Sequence, residues 1–198
     1  MIKFLLALVV TVITAITGVM AIPANAAVGT YTILIGDSLA NYGKDNLAGY
    51  KPTWEVDAIN GSSPATLPGR IDAAVANHAG LDPETLIVEL GTNYSSEWTG
   101  ADYGIVREML PLTRIVFVTP GRDPFVVGQE SAKRAAAYAY YMIRLANDDP
   151  RMCIVPWAEA IDANPALLRD GVHATTTSED RWAREIWKGT DACTITEP

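Results

Sequence analysis

The stretch that decides the fold is Tyr31-Thr32-Ile33-Leu34-Ile35-Gly36-Asp37-Ser38-Leu39. Its first five residues form a short apolar, β-rich run, the pattern of a strand buried on both faces. Gly36 closes the run and allows a sharp turn, after which a helix is expected from Leu39. The same grammar repeats along the chain. A shorter run from Trp54 to Ile59 ends at Asn60-Gly61, and Thr85 to Leu90 ends at Gly91. Arg114 to Thr119 is stopped by Pro120-Gly121, and Met152 to Pro156 makes a fifth run. Helix-length segments lie between the strands. Ala65 to Ala79 carries Leu67, Ile71, Ala74, Val75 and His78 at helical spacing, and Asp102 to Leu110 is stopped by Pro111. Gln129 to Asn147 sets Tyr138, Tyr141, Met142 and Leu145 on one face. Thr177-Ser178-Glu179-Asp180 reads as the N-cap of a last helix whose apolar stripe is Trp182, Ile186 and Trp187. Strands alternating with helices predict an α/β domain with a parallel sheet covered on both faces. Ligands in such sheets bind beyond the carboxyl ends of the strands.

Composition narrows the function. The chain has 198 residues, 49% of them hydrophobic and 19% charged, with a formal net charge of −8. That length suits one domain with a sizeable core, and the apolar content is too high for a disordered chain. An acidic chain without a Lys/Arg run is a poor nucleic-acid binder, since phosphate affinity rests on clustered cations. Nucleotide loops are excluded as well. Six residues rather than four separate Gly36 from Gly43-Lys44, and no Gly-x-Gly-x-x-Gly occurs.

The N-terminus reads as an export signal. Met1-Ile2-Lys3 is a basic start, Phe4 to Ile22 is largely apolar, and Ala24-Asn25-Ala26 is a small-x-small cleavage site. Residues 1–26 are therefore expected to be a signal peptide cleaved after Ala26, with 27–198 as the folded domain. The alternative is a retained anchor, because the run approaches the ~20 residues that span a bilayer. The expected location is secreted, periplasmic or in the cell envelope, with no membrane span after cleavage. An oxidising compartment permits a disulfide between Cys153 and Cys193, the alternative being two independent thiols. Neither cysteine has a metal-ligand spacing, and no metal or cofactor is expected.

Four clusters of unusual residues fall at or near the carboxyl ends of the predicted strands. A serine at the strand-to-helix turn Gly36-Asp37-Ser38 can project its hydroxyl above the sheet. A serine nucleophile needs a base, and the chain has two histidines. His78, late in a predicted helix, reads as a capping or packing residue. His173 lies in the loop Asp170-Gly171-Val172-His173, where Asp170 can bend back onto one ring nitrogen and leave the other facing Ser38. Asn93, in Gly91-Thr92-Asn93, offers an amide donor of the kind a developing oxyanion requires, and Gly61 can present its backbone N–H. Each cluster alone has a plain structural reading as a cap or turn. Trp54, Trp98, Arg122 and Phe125 also lie near these loops and either shape a cleft or pack the loops.

Together the clusters resemble the SGNH hydrolase family, the GDSL-like esterases and lipases. Gly36-Asp37-Ser38 matches its first block, Gly61 its second, Gly91-Thr92-Asn93 its third and Asp170-Gly171-Val172-His173 its fifth. The resemblance implies a three-layer α/β/α sandwich with a five-stranded parallel sheet, a flavodoxin-like SGNH hydrolase fold. It implies ester hydrolysis or acyl transfer without a metal: Ser38 as nucleophile, His173 as general base and acid, Asp170 as its orienting partner. Ser38 N–H, Gly61 N–H and the Asn93 side chain would form the oxyanion hole. Many members have Asp after the third-block Asn, where this chain has Tyr94. A Val-Glu-Leu strand before Gly-Thr-Asn is similar instead to the SGNH domains of cell-wall O-acetyltransferases. Val56 to Gly61 and the turn Thr119-Pro120-Gly121-Arg122 lean the same way.

The leading expectation is an exported serine esterase acting on short acyl esters, acetyl foremost, of a small-molecule, glycan or cell-envelope substrate. An O-acyltransferase of the same fold is the second, and a non-catalytic envelope-binding protein the third. A monomer is expected.

Overall fold

The computed structural model describes residues 27–194, so the expected signal peptide lies outside the described residues. Five short strands form one sheet: β1 (Thr32–Gly36), β2 (Glu55–Ala58), β3 (Thr85–Glu89), β4 (Arg114–Val118) and β5 (Met152–Val155). Their order is β2-β1-β3-β4-β5 and every pairing is parallel. Because alternate side chains of a strand point to opposite faces, each continuous apolar run supplies two layers at once. Ile33, Ile35, Leu86, Val88, Ile115 and Phe117 face one side. There they meet Leu67 and Ile71 of α2 (Leu67–Asn77) and Tyr138 and Met142 of α5 (Gln129–Asp148). Leu34, Ile87, Val116, Val118 and Val155 face the other. Against them pack Leu39 and Leu47 of α1 (Ser38–Tyr50), Trp157 of α6 (Trp157–Ala163), and Trp182 and Ile186 of α7 (Thr176–Ala192). The two remaining helices are short, α3 (Ile105–Met109) and α4 (Pro124–Val127). The expected three-layer α/β/α sandwich is the observed one.

Differences from the sequence reading sit at element ends, where hydrogen bonding rather than polarity decides. Tyr31, Trp54, Ile59, Leu90, Thr119 and Pro156 fall outside the strands. The last helix is capped by Thr175, whose hydroxyl accepts from Ser178 N–H, one turn's start earlier than Thr177. Trp182 is buried as expected, but Trp187 is half-buried and stacks on Tyr50 at 4.9 Å. Trp98 is buried against Tyr103, whereas Phe125 on α4 is 91% exposed. Cys153 on β5 and Cys193 at the end of α7 are bridged. No helix among the described residues is long and apolar enough to cross a membrane.

The candidate active site

Parallel pairing brings the carboxyl ends of β1, β2 and β3 side by side, with Gly36 opposite both Ala58 and Glu89. The chain reverses into α1 at Gly36-Asp37-Ser38. A Cβ at Gly36 would stand 2.4 Å from the Ala40 Cβ, so only glycine lets the helix start this close to the strand. Asp37 caps α1, its Oδ1 accepting from Leu39 N–H at 3.0 Å. Ser38 is thereby the first helical residue, and its backbone N–H has no acceptor among the described residues.

His173 arrives from the loop before α7. An antiparallel bridge between Leu168 and Ala174 and a left-handed Gly171 (φ +78°) fold residues 169–173 into a tight loop. The ring bridges two side chains: His173 Nε2 is 2.9 Å from Ser38 Oγ, and Nδ1 is 2.8 Å from Asp170 Oδ2. Asp170 Oδ1 accepts from the N–H groups of His173 at 2.8 Å and Val172 at 3.1 Å. Burial raises the Asp170 carboxyl's affinity for a proton, but the bonds from His173 and Val172 outweigh it and hold the pKa at about 2. An ionised Asp170 accepts only, so Nδ1 carries the ring proton and Nε2 faces Ser38 as an acceptor. Ser38, Asp170 and His173, 135 residues apart at the extremes, therefore meet in one line of hydrogen bonds.

The three expected oxyanion donors lie on the segments that follow β1, β2 and β3. Gly61 adopts φ +75° in the loop after β2, and its N–H has no acceptor among the described residues. Asn93 Nδ2 donates to Ser62 O at 3.1 Å and, more weakly, to Asp37 Oδ2 at 3.3 Å. These bonds place the amide between the residue before Ser38 and the residue after Gly61. Burial drives the Asp37 carboxyl up to about 6, against the opposing bond from Leu39.

Several side chains hold these loops together, and of them the sequence singles out only Arg122, as a residue that shapes a cleft or packs the loops. Arg70 of α2, 8% exposed, donates to Asp57 Oδ2 at 2.7 Å, to Gly36 O at 2.9 Å and to Ser62 Oγ at 3.1 Å. It ties the loop bearing Gly61 to the end of β1. Arg122, half-buried, donates to Thr92 O and to Ser131 Oγ, bracing the Asn93 turn against α5. The next residue, Asp123, donates its N–H to Gly171 O at 2.9 Å, joining that brace to the His173 loop. Glu89, fully buried, accepts from Asp37 N–H and Ala40 N–H through Oε2. A detectable signal existed for Arg70, a cation set among Leu67, Ile71 and Ala74 on an apolar helical face, and for Glu89, the one carboxylate in an apolar strand. Of the aromatic residues expected near the loops, Trp54 and Trp98 pack inward.

Two tyrosines lie on the elements around the site. Tyr42 stands edge-on to the His173 ring at 5.3 Å, with the Arg169 guanidinium 4.4 Å above it. Tyr94, in place of an acid, is half exposed beneath Arg134. A separate groove of about 230 Å³ lies past the end of β4, lined by Arg122, Pro124, Gln129, Lys133 and Asp162, and includes neither Ser38 nor His173.

No protein-family model matches the chain, and no curated protein matches it. Solved structures do. The C-terminal catalytic domain of peptidoglycan O-acetyltransferase A from Streptococcus pneumoniae superposes with a TM-score of 0.71 at 21% identity, covering 84% of this chain and 96% of that one. A member of the lipolytic G-D-S-L family from Veillonella parvula gives 0.66 at 12% identity, covering 83% and 100%. A carbohydrate esterase of family 3 from Talaromyces cellulolyticus gives 0.60 at 14%, covering 85% and 100%. With its parallel sheet in this order and its layers as described, the chain has the fold of the SGNH hydrolases.

Proposed function

We propose that this chain is an exported serine esterase that removes short acyl groups, acetyl foremost, from carbohydrate or cell-envelope esters through an acyl-serine intermediate. The observation that carries the reading is the pair of bonds joining Ser38 Oγ, His173 and an ionised Asp170. Ser38 Oγ attacks the ester carbonyl as His173 Nε2 takes its proton, while Asp170 holds Nδ1–H and offsets the charge of the imidazolium. The oxyanion is met by the free N–H groups of Ser38 and Gly61, and by Asn93, which exchanges its 3.3 Å bond to Asp37 for a bond to the substrate. His173 returns the proton to the departing alkoxide, leaving an acyl group on Oγ. Water, deprotonated by Nε2, then releases the acid and restores Ser38. A small domain without a long lid insertion among the described residues suits short acyl groups rather than long-chain lipids.

A second reading has its own support. The TM-score of 0.71 against an O-acetyltransferase domain, over 96% of its length, favours a transferase in which a sugar hydroxyl replaces water in the last step. The test is release of p-nitrophenol from a C2 to C12 acyl ester series, with and without a saccharide acceptor, compared with Ser38→Ala. Hydrolysis of the short esters that falls at least ~10³-fold in the variant supports the esterase. Acylated saccharide formed at the expense of free acid supports the transferase. Equal rates for the two proteins overturn both and leave a binding role.

A further inference from the structure

The backbone donors at the start of α1 have a complete accounting. The first four N–H groups of a helix lack an intrahelical acceptor, and when buried they must find one elsewhere. Leu39 N–H is taken by the Asp37 side chain, and Asn41 N–H by Asp37 O. Ala40 N–H is taken at 3.3 Å by Glu89 Oε2, which also accepts at 3.1 Å from Asp37 N–H, a donor shared with the Glu89 backbone O at 3.2 Å. Only Ser38 N–H is left over. Glu89 thus grips the backbone on both sides of the nucleophile and consumes the donor that would otherwise compete for an oxyanion. The reach is specific: Glu89 is in register with Gly36, and a Cβ on Gly36 would lie 2.8 Å from Oε2.

The groups facing Glu89 are Asp37 on the turn, Arg70 from α2, and Tyr103 from the 3₁₀ segment Gly100–Gly104. Arg70 directs its hydrogen bonds to Asp57, Gly36 O and Ser62, and Tyr103 donates to Leu90 O. Glu89 has no ion-pair partner among the described residues, and a second carboxyl lies beside it. A buried carboxylate in that setting is costly, whereas the neutral acid still accepts through its carbonyl oxygen. Burial, reinforced by the neighbouring Asp37, raises the Glu89 pKa well above the ordinary carboxylate range.

We propose that Glu89 is a positioning residue for the nucleophile: its carboxyl ties the backbone on either side of Ser38 to the end of β3 and holds Oγ in line with His173 Nε2. This rests on Ser38 being the nucleophile of the proposed reaction. It predicts that an uncharged isostere works and that a residue unable to reach the amides does not.

The test compares Glu89→Gln and Glu89→Leu with the unaltered protein by ester kinetics, sulfonyl-fluoride labelling of Ser38, amide exchange of residues 37–40, and Tm against pH. Glu89→Gln should keep kcat and the labelling rate within ~3-fold, whereas Glu89→Leu should lose at least ~10² in kcat with KM within ~3-fold. The Ala40 amide, whose acceptor is the Glu89 side chain, should exchange at least ~10-fold faster in Glu89→Leu alone. Because the folded-state pKa is raised, the stability Glu89 contributes is complete in acid and is lost as the pH rises through that value. Glu89→Gln should therefore gain Tm over the unaltered protein as the pH rises from the ordinary carboxylate range through that raised value. If Glu89→Leu does not fold, Glu89→Asp, one methylene too short, replaces it with the same expectations. Glu89→Gln as inactive as the short variant, or a short variant with unchanged kcat and amide exchange, overturns the proposal. Absence of ester turnover and labelling in the unaltered protein refutes the esterase reading instead, while exchange and Tm still judge Glu89.

Discussion

Replacing Asp170 by Asn isolates what the carboxylate does for His173. The side chain keeps its shape, and its Oδ1 can still accept from His173 N–H and Val172 N–H, so the loop of residues 169–173 stays folded. What changes is the atom opposite Nδ1. An amide nitrogen at 2.8 Å is a donor, so the ring places its proton on Nε2 and points a donor at Ser38 Oγ, 2.9 Å away. The base then presents the wrong tautomer, and the imidazolium loses its counter-charge. A change of this kind in a serine triad costs on the order of 10⁴ in kcat, about 5.5 kcal/mol of barrier. The assay is p-nitrophenyl acetate hydrolysis under saturating substrate, with KM expected to hold within ~3-fold. The bonds from His173 and Val172 override the effect of burial and hold the Asp170 pKa at about 2, below the ordinary aspartate value of 3.8. The stabilisation from ionised Asp170 is thus complete above about pH 4 and is lost as the pH falls toward 2, so the defect should persist from pH 5 to 9. A loss below ~10-fold, or full recovery at high pH, would show that His173 does not depend on Asp170 for its tautomer and would refute the mechanism.

Other perturbations probe separate parts of the structure. Asn93→Ala removes one oxyanion donor and should lower kcat by about 10²–10³ with little change in KM, measured on the same ester. Reducing the bridge between Cys153 and Cys193, 40 residues apart, should cost about 4 kcal/mol by loop entropy, or roughly 8–16 °C in Tm by calorimetry. A shift under about 3 °C would mean that packing around α7, and the Arg114 bond to Cys193 O at 2.8 Å, already hold the tail. His78 sends both ring nitrogens to acceptors, Nδ1 to Ala74 O at 2.9 Å and Nε2 to Glu55 Oε1 at 2.8 Å, which only the imidazolium satisfies. The bond to Ala74 is the main cause of its raised pKa, with Glu55 adding to it. A raised pKa stabilises the fold below 6.5 and ceases to do so as the pH climbs through the folded value, so His78→Gln should lower Tm at pH 5.5 and leave it unchanged at pH 9.

The fold was legible because the strands of a parallel sheet must be apolar on both faces. Leu34-Ile35, Ile87-Val88 and Val116-Phe117 could not be anything but buried, and the turn residues after each marked where the sheet's carboxyl edge must lie. Element ends were less so. Whether Thr175 or Thr177 caps α7 depends on which hydroxyl meets Ser178 N–H, a choice of one backbone torsion that composition does not record. The short helices α4 and α6 escaped for a related reason: one or two turns are too short to show a period.

The site divides along a different line. Ser38, Asn93, Asp170 and His173 were legible because their chemistry is rare at a strand end and their local sequences are tight turns. Arg70 and Glu89 were not, and Arg122 was legible only as a residue near the loops, although all three hold those turns in place. Each works by donating to or accepting from backbone atoms tens of residues away: Arg70 to Gly36 O, Arg122 to Thr92 O, Glu89 to Asp37 and Ala40. A main-chain amide or carbonyl has no side-chain signature, so half of every such pair is invisible in the sequence. The visible half is a charge in the wrong place. Arg70 on the apolar face of α2 and Glu89 inside an apolar strand could persist in a core only if the fold supplied partners for them. Both lie directly behind the residues that carry the chemistry, because that is where the sheet edge has turned its backbone out of the ladder and left amides and carbonyls to be satisfied.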